Sequence, residues 1–387
     1  MPRLLPSSTR ALARALAPAA ILALAALASP TLADAQPRPR QVEQTLSVQD
    51  YEPRSTLKVP ETIVTKAKFP FISVHEHYRA EMPAERLDSL VKVHESLGLR
   101  IAVNLSGGSG ERLANMVRTY REKYPGHFAV FANVSWAGID EPGWGERTAA
   151  QLERDVKQGG AVGLKIFKDL GMEVKDAAGN RVRVDDPRID PVWAMAGRLG
   201  IPVLIHTGEP PSFFLPIDRY NERWLELNQF PQRARPSDRY PAFDSLMAEQ
   251  HRMFRKHPRT NFINAHLGWY GSDLAHLAAL MDSLPNMYTE LGAVLYELGR
   301  QPRFAREFLT KYQDRVLMGK DVTEDRSEYH VYFRVFETND EYFDYYRRRH
   351  AFWKMYGLGL PDDVLKKVYY KNSLRIIPGL DASGFPQ

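Results

Sequence analysis

The chain has 387 residues, 44% of them hydrophobic and 26% charged, with a formal net charge of +5 and no cysteine. That length allows one large domain or two ordinary ones with ample core, and that composition excludes an intrinsically disordered chain and a bundle of membrane spans. Lysine and arginine are interspersed with acids rather than gathered into a stripe, so no nucleic-acid-binding face is expected, and no disulfide holds the fold.

The first element is a leader. Residues 1–35 carry Arg3, Arg10 and Arg14, then a run of Ala, Leu and Ile, then Ala33-Asp34-Ala35. A basic stretch, an apolar stretch and a small-x-small site predict a secretory signal peptide cut after Ala35, and hence a secreted or periplasmic protein. The apolar run is short for a membrane span and no later one qualifies, so no membrane association is expected after cleavage; an uncleaved anchor is the alternative. Losing Arg3, Arg10, Arg14 and Asp34 leaves the mature protein mildly basic. Residues 36–68, polar and dotted with proline, read as a linker or N-terminal wrap ahead of a domain over 69–380.

From residue 69 a rhythm begins. Short apolar runs alternate with amphipathic stretches: FPFISVHEH (69–77), GLRIAVNLSGG (98–108), HFAVFANVSW (127–136), AVGLKIFKDLG (161–171), IPVLIHTGE (201–209), TNFINAHLG (260–268), NMYTELGA (286–293) and DRVLMGKDVT (314–323) each precede a helical pattern. Gly98, Gly126 and Gly200 stand where helices should stop. Alternating strands and helices predict a parallel sheet, and eight units predict an α/β fold of the closed (β/α)8 TIM-barrel type, a single domain with long loops after strands 5 and 8.

In such a barrel, functional groups gather at the C-terminal ends of the strands. Those ends carry His75 and His77 (first), Lys165 (fourth), His206 (fifth), His266 (sixth) and Asp321 (eighth). In a strand alternate side chains share a face, so His75 and His77 point together and Glu76 points away. Imidazole and carboxylate are the usual ligands of Zn2+ and similar ions, and His75, His77, His206 and Asp321 converge above one barrel mouth. Singly, each is more often a capped or solvated residue; together they predict a metal site. Glu76 is expected to orient a neighbour or pair with a cation, without a catalytic role.

The ordered set of H-x-H after the first strand, His after the fifth and sixth and Asp after the eighth resembles the amidohydrolase superfamily, most closely its amidohydrolase-related family of metal-dependent hydrolases and decarboxylases. VLIHTGEP, FINAHLG, VLMGKD and VYYKNSLRII support the resemblance over nearly all of 69–380. The resemblance implies one divalent metal, usually zinc, on His75, His77, His206 and Asp321, with His266 polarising the substrate or moving a proton. It also implies a second possibility, a carbamylated Lys165 bridging two metals; the mononuclear form is the expectation. Two departures stand out: Ser73 where the family often has Asp, and Lys320 before Asp321, which strand alternation should turn away from the metal.

The two long loops are rich in Phe, Tyr, Trp and Arg, which suits an aromatic or carboxylate-bearing small molecule, and Arg79 is the expected substrate-carboxylate clamp. Asp321 as base and His266 as its partner describe hydrolysis of an amide, ester or lactone. Metal-dependent decarboxylation of an aromatic or unsaturated acid is the alternative, and a non-catalytic exported binding protein the remote one. The expected partner is a small-molecule substrate, and a homo-oligomer is left open.

Overall fold

The computed structural model describes residues 46–47, 50–321, 326–350 and 353–386; the expected leader, residues 1–35, lies outside them. The chain divides into two compact units, Met1–Arg54 and Ser55–Gln387. In the first, the described residues include a turn in which Asp50 N donates to Ser47 O at 3.1 Å. Among the described residues no helix is long and apolar enough to cross a membrane.

The second unit holds the strand–helix repeats. Its parallel strands are β1 (Phe71–Glu76), β2 (Leu99–Asn104), β3 (Phe128–Val130), β4 (Ala132–Asn133), β5 (Leu164–Ile166), β6 (Val203–Ile205), β7 (Phe262–Asn264), β8 (Met287–Glu290) and β9 (Val316–Leu317). They pair in sequence order, β1 to β3 and β4 to β9. The β3 and β4 runs are one barrel strand bent at Phe131, whose N–H donates to Asn104 O at 3.0 Å while Ala132 N donates to Gly163 O at 2.9 Å. The ends also meet: Val74 N donates to Met318 O and Asp321 N to His75 O, each at 2.9 Å. Eight strands thus close on themselves, which leaves no edge to pair with another chain.

The strands are short and almost wholly buried because helices cover the outer face and side chains fill the inner one. The flanking helices close as their sequences require. Gly98 ends the helix Ala84–Leu97 in the left-handed region (φ 85), and Gly200 ends Asp190–Leu199 likewise (φ 67). The long connection after β6 folds into short helical turns, including Pro211–Phe214 and Trp224–Gln229. The one after β9 holds the helix Arg326–Glu337 and a small antiparallel hairpin, Phe343–Asp344 with Lys354–Met355. Residues 61–68 lie against that helix and its neighbours: Thr62 N donates to Asp340 Oδ2 at 2.7 Å and Lys68 N to Glu337 Oε1 at 3.0 Å.

Candidate metal centre

His75 and His77 leave β1 on one face, as alternation requires, and their rings stand 5.2 Å apart. Each is oriented by its Nδ1. His75 Nδ1 lies 3.0 Å from Glu290 Oε1, and His77 Nδ1 lies 2.9 Å from Ser106 Oγ. A carboxylate only accepts, so His75 carries its proton on Nδ1 and leaves a lone pair on Nε2. That Nε2 is buried and has no hydrogen-bond partner among the described residues. It sits 3.5 Å from Asp321 Oδ1, and His77 Nε2 sits 3.8 Å from the same oxygen. Donor atoms about 2.1 Å from one ion in tetrahedral array stand roughly 3.4 Å apart, so this spacing fits a shared cation.

Asp321 reaches this point through a left-handed backbone (φ 64) just past β9, and its N–H is held by His75 O. Non-glycine residues rarely adopt that conformation, and strain of this kind concentrates at functional sites. The carboxylate is 32% exposed, on the open side of the cluster. Burial alone would raise it; His75, His266, His77 and Lys165 outweigh that and hold it at about 2. The imidazoles move the other way. Burial first, then the Lys165 charge, lowers His77 to about 4 and His75 well below its usual range. Burial, with His266 and Lys165, does the same to His206. Neutral imidazole is the form that binds a metal.

His206 and His266 come from the ends of β6 and β7. His266 Nδ1 lies 2.8 Å from Gly292 O, so it carries the proton, and His266 Nε2 faces His206 Nδ1 at 3.3 Å. That separation serves either an N–H···N bond or two ligands of one ion. His206 Nε2 is buried without a partner among the described residues. The His266 ring packs 4.9 Å from His75 and stacks at 4.4 Å on Trp269. The chain makes this approach through consecutive left-handed residues, His266, Leu267, Gly268 and Trp269, which the apolar pattern of FINAHLG does not announce. Lys165 is buried beside the centre, its Nζ unpartnered and 5.5 Å from the Phe167 ring. Burial lowers it to about 8, against the raising effect of Asp321 and Glu290.

Sequence reasoning missed Glu290. Its Oε1 takes His75 Nδ1 and His266 N (2.7 Å), and its Oε2 takes Gly292 N (2.6 Å). One carboxylate thereby ties β1, β7 and β8 together behind the ligands. Gly319 makes room for it, since a Cβ there would lie 2.2 Å from Glu290 Oε2. The available signal was the strand-end rule itself, because Glu290 closes β8 as the histidines close theirs. Glu76 and Lys320 point away, as alternation predicts: Lys320 pairs with Glu328 and lies among the rings of Tyr329, Tyr332 and Tyr346. Arg79 is exposed and is not part of this group; its carbonyl accepts from Tyr120 OH at 2.7 Å.

The orphaned Nε2 of His75 and the spacing of His75, His77 and Asp321 fit a divalent cation, while His206, beside His266, is not part of that close group. Comparison agrees in fold. The crystal structure of 2,6-dihydroxybenzoate decarboxylase complexed with 2,6-dihydroxybenzoate matches with a TM-score of 0.50 at 15% identity, over 80% of this chain and 99% of that one. A dihydroxybenzoic acid decarboxylase from a Polaromonas species, with bound manganese and the inhibitor 2-nitroresorcinol, matches with a TM-score of 0.50 at 15% identity, over 80% and 96%. At such identity these likenesses show the fold alone. A comparison with curated proteins found no match. The model of the Amidohydrolase family matches residues 101–379, a range that holds Lys165, His206, His266, Glu290 and Asp321 and begins after the His75–His77 pair. The chain belongs to the amidohydrolase family, whose members are metal-dependent enzymes.

Proposed function

We propose that the chain is an exported, metal-dependent hydrolase acting on an amide, ester or lactone of a small molecule. The observation that carries this is the meeting of two imidazole Nε2 atoms on the oxygen of a half-open carboxylate, Asp321, at 3.5 and 3.8 Å. His75, His77, His206 and Asp321 would hold one divalent ion, zinc by expectation. Such an ion supplies Lewis acidity, polarising a carbonyl and making a water molecule acidic enough to act near pH 7.

The protein's own groups do the rest. Asp321, ionised and facing the opening, accepts the proton of the attacking water. His266, held through Nδ1, offers Nε2 beside His206; once that nitrogen takes up a proton, the imidazolium passes it on or steadies a developing oxyanion. Glu290 fixes the His75 tautomer, so its lone pair is presented without reorganisation. Lys165 remains an ammonium in the mononuclear reading, an unpaired cation beside the reaction centre. Buried walls at β1, β6 and β7 exclude bulk water from the inner side.

Decarboxylation of an aromatic or unsaturated acid uses the same parts, with Asp321 protonating carbon, and the fold is shared with proteins named for that reaction. A screen of lactones, esters, N-acyl compounds and aromatic acids, with metal content measured on the same sample, separates them. Hydrolysis releases a new carboxylate and an alcohol or amine. Release of carbon dioxide, with no hydrolytic product, would replace the hydrolase reading.

A further inference from the structure

A cleft of about 390 Å³ opens beside the metal centre, lined by Ser106, Ser109, Arg112, Asn133, Ser135 and Phe167. That volume suits a small ligand. The cleft is continuous with the centre, because Ser106 Oγ is the partner of His77 Nδ1 and the Phe167 ring lies 5.7 Å from the His77 ring. Phe167 is 37% exposed, an apolar wall left uncovered.

Arg112 is the unusual member. Its guanidinium has no ion pair or side-chain hydrogen bond among the described residues. Four cations of the long loop after β6 and of the β5 end are, by contrast, already committed. Arg223 and Arg233 pair with Glu226, and Arg235 and Lys168 pair with Glu209 at 2.8 and 2.5 Å. The stem of Arg112 folds over Gly108, where a Cβ would come within 2.7 Å of Arg112 Cδ. Gly108 is itself pinned, its N–H donating to Asn133 Oδ1 at 2.7 Å and its carbonyl accepting from Asn133 N at 2.7 Å. Asn133 Nδ2 donates to Leu105 O at 2.9 Å. A guanidinium without an ion pair among the described residues is thus presented from the first turn of the helix Gly110–Val117, over a braced Gly108 and next to serine hydroxyls and an exposed ring, at the side of the ligand cluster.

We propose that this cleft is an acid-binding subsite. Arg112 holds a carboxylate of the substrate, the serines add hydrogen bonds, and Phe167 carries its apolar or aromatic part. The anchored carboxylate is then a spectator. The reacting carbonyl is a second group on the same molecule, which makes the substrate class small acids bearing an amide, ester or lactone. Guanidinium suits this task because its planar fork matches the two oxygens of a carboxylate. Arg79, outside the cleft lining, does not serve it. The identity of the reacting group rests on the hydrolase reading; the carboxylate subsite does not.

The test is calorimetric titration of the metal-loaded protein with benzoate and with benzamide, its neutral counterpart, which needs no turnover. Benzoate should bind saturably and at least about tenfold more tightly than benzamide. Arg112→Ala should weaken benzoate by about tenfold or more with melting temperature and metal content unchanged, Arg112→Lys should recover part of the loss, and Arg79→Ala should bind as the parent does. Three results overturn the proposal: no saturable benzoate binding, equal affinity in the parent and Arg112→Ala, or a loss in Arg79→Ala in place of Arg112→Ala. Benzoate binding through Arg112 with no hydrolysis of any carboxylate-bearing amide, ester or lactone would defeat the hydrolase reading and leave the subsite standing.

Discussion

Strand β1 feeds two buried polar clusters of similar residue types and opposite condition. Around Glu76 every group is answered: Ser73 Oγ, Tyr329 OH and Tyr78 OH donate to the carboxylate at 2.6, 2.5 and 3.2 Å. Tyr78 OH continues to His94 Nε2 at 3.2 Å, and His94 Nδ1 to His127 at 3.0 Å. Around His75, the next residue along, His75 Nε2, His206 Nε2 and Lys165 Nζ are buried and have no partner among the described residues. A buried polar atom without a partner costs about 1–3 kcal/mol, so several converging at one strand-end cluster point to something bound there. The saturated cluster is framework between barrel and helices. The unsaturated one is the candidate site.

The largest effects are expected at the ligands. His75→Ala and His206→Ala should each lose the metal, from close to one equivalent per chain to near none by elemental analysis, with activity lost as well. Full metal retention in both would remove the site assignment. Asp321→Asn should abolish turnover and weaken metal binding, because it removes the base and one ligand together. His266→Ala should keep the metal and lose on the order of 10²–10³ in rate. Metal loss in His266→Ala as ready as in Asp321→Asn would make His266 a ligand and favour the two-metal form with Lys165.

The next contrast sets the two buried carboxylates against each other. Glu290→Ala should lower metal affinity by about 10–100-fold, since it frees His75 to turn. Glu76→Ala should leave metal content unchanged and cost about 1–3 kcal/mol in denaturant unfolding, from hydroxyls left without an acceptor. Equal effects on metal would erase the distinction.

Acid should find the framework before neutral pH does. Burial holds His94 at about 3 and His127 at about 4, below the ordinary histidine value of 6.5. The unfolded chain therefore binds more protons between those values. Stability should be level above about pH 6.5 and fall as pH drops from there toward 4 and 3. His94→Gln should flatten that acid slope in melting temperature; an unchanged slope would mean that other groups set it. The smallest effect is expected at Lys165. Lys165→Ala should leave one equivalent of metal, and a fall from two equivalents would show the carbamylated form.

Most of the barrel was legible because its signals are local. Apolar runs followed by amphipathic ones gave the eight units, and the strand ends named His75, His77, His206, His266 and Asp321 without any contact being known. Glu290 was not singled out, although it obeys the same rule, because a lone acid after an apolar run is ordinary and its partners lie 215 and 24 residues away. Arg79 attracted attention by lying near the histidines in sequence, while Arg112 reaches the cleft from the first turn of the helix Gly110–Val117, its stem lying over Gly108.

Periodicity and strand-end chemistry, which depend on neighbours a few residues apart, determined that this chain is a parallel barrel with imidazoles and a carboxylate at one mouth. They also turned Glu76 and Lys320 outward, since alternation along a strand is a property of the backbone. Only the tertiary structure decided which polar groups are satisfied. The register of β1 on β2 shifts between Ser73 and Glu76, where Ser73, of the same parity as His75, reaches Glu76. The left-handed turns at His266 and Asp321, the tautomers set by Glu290 and Gly292, and the unpaired Arg112 depend in the same way on groups brought together from distant parts of the chain. A hydrogen bond needs its partner within about 3 Å in space, and no spacing along the sequence specifies that.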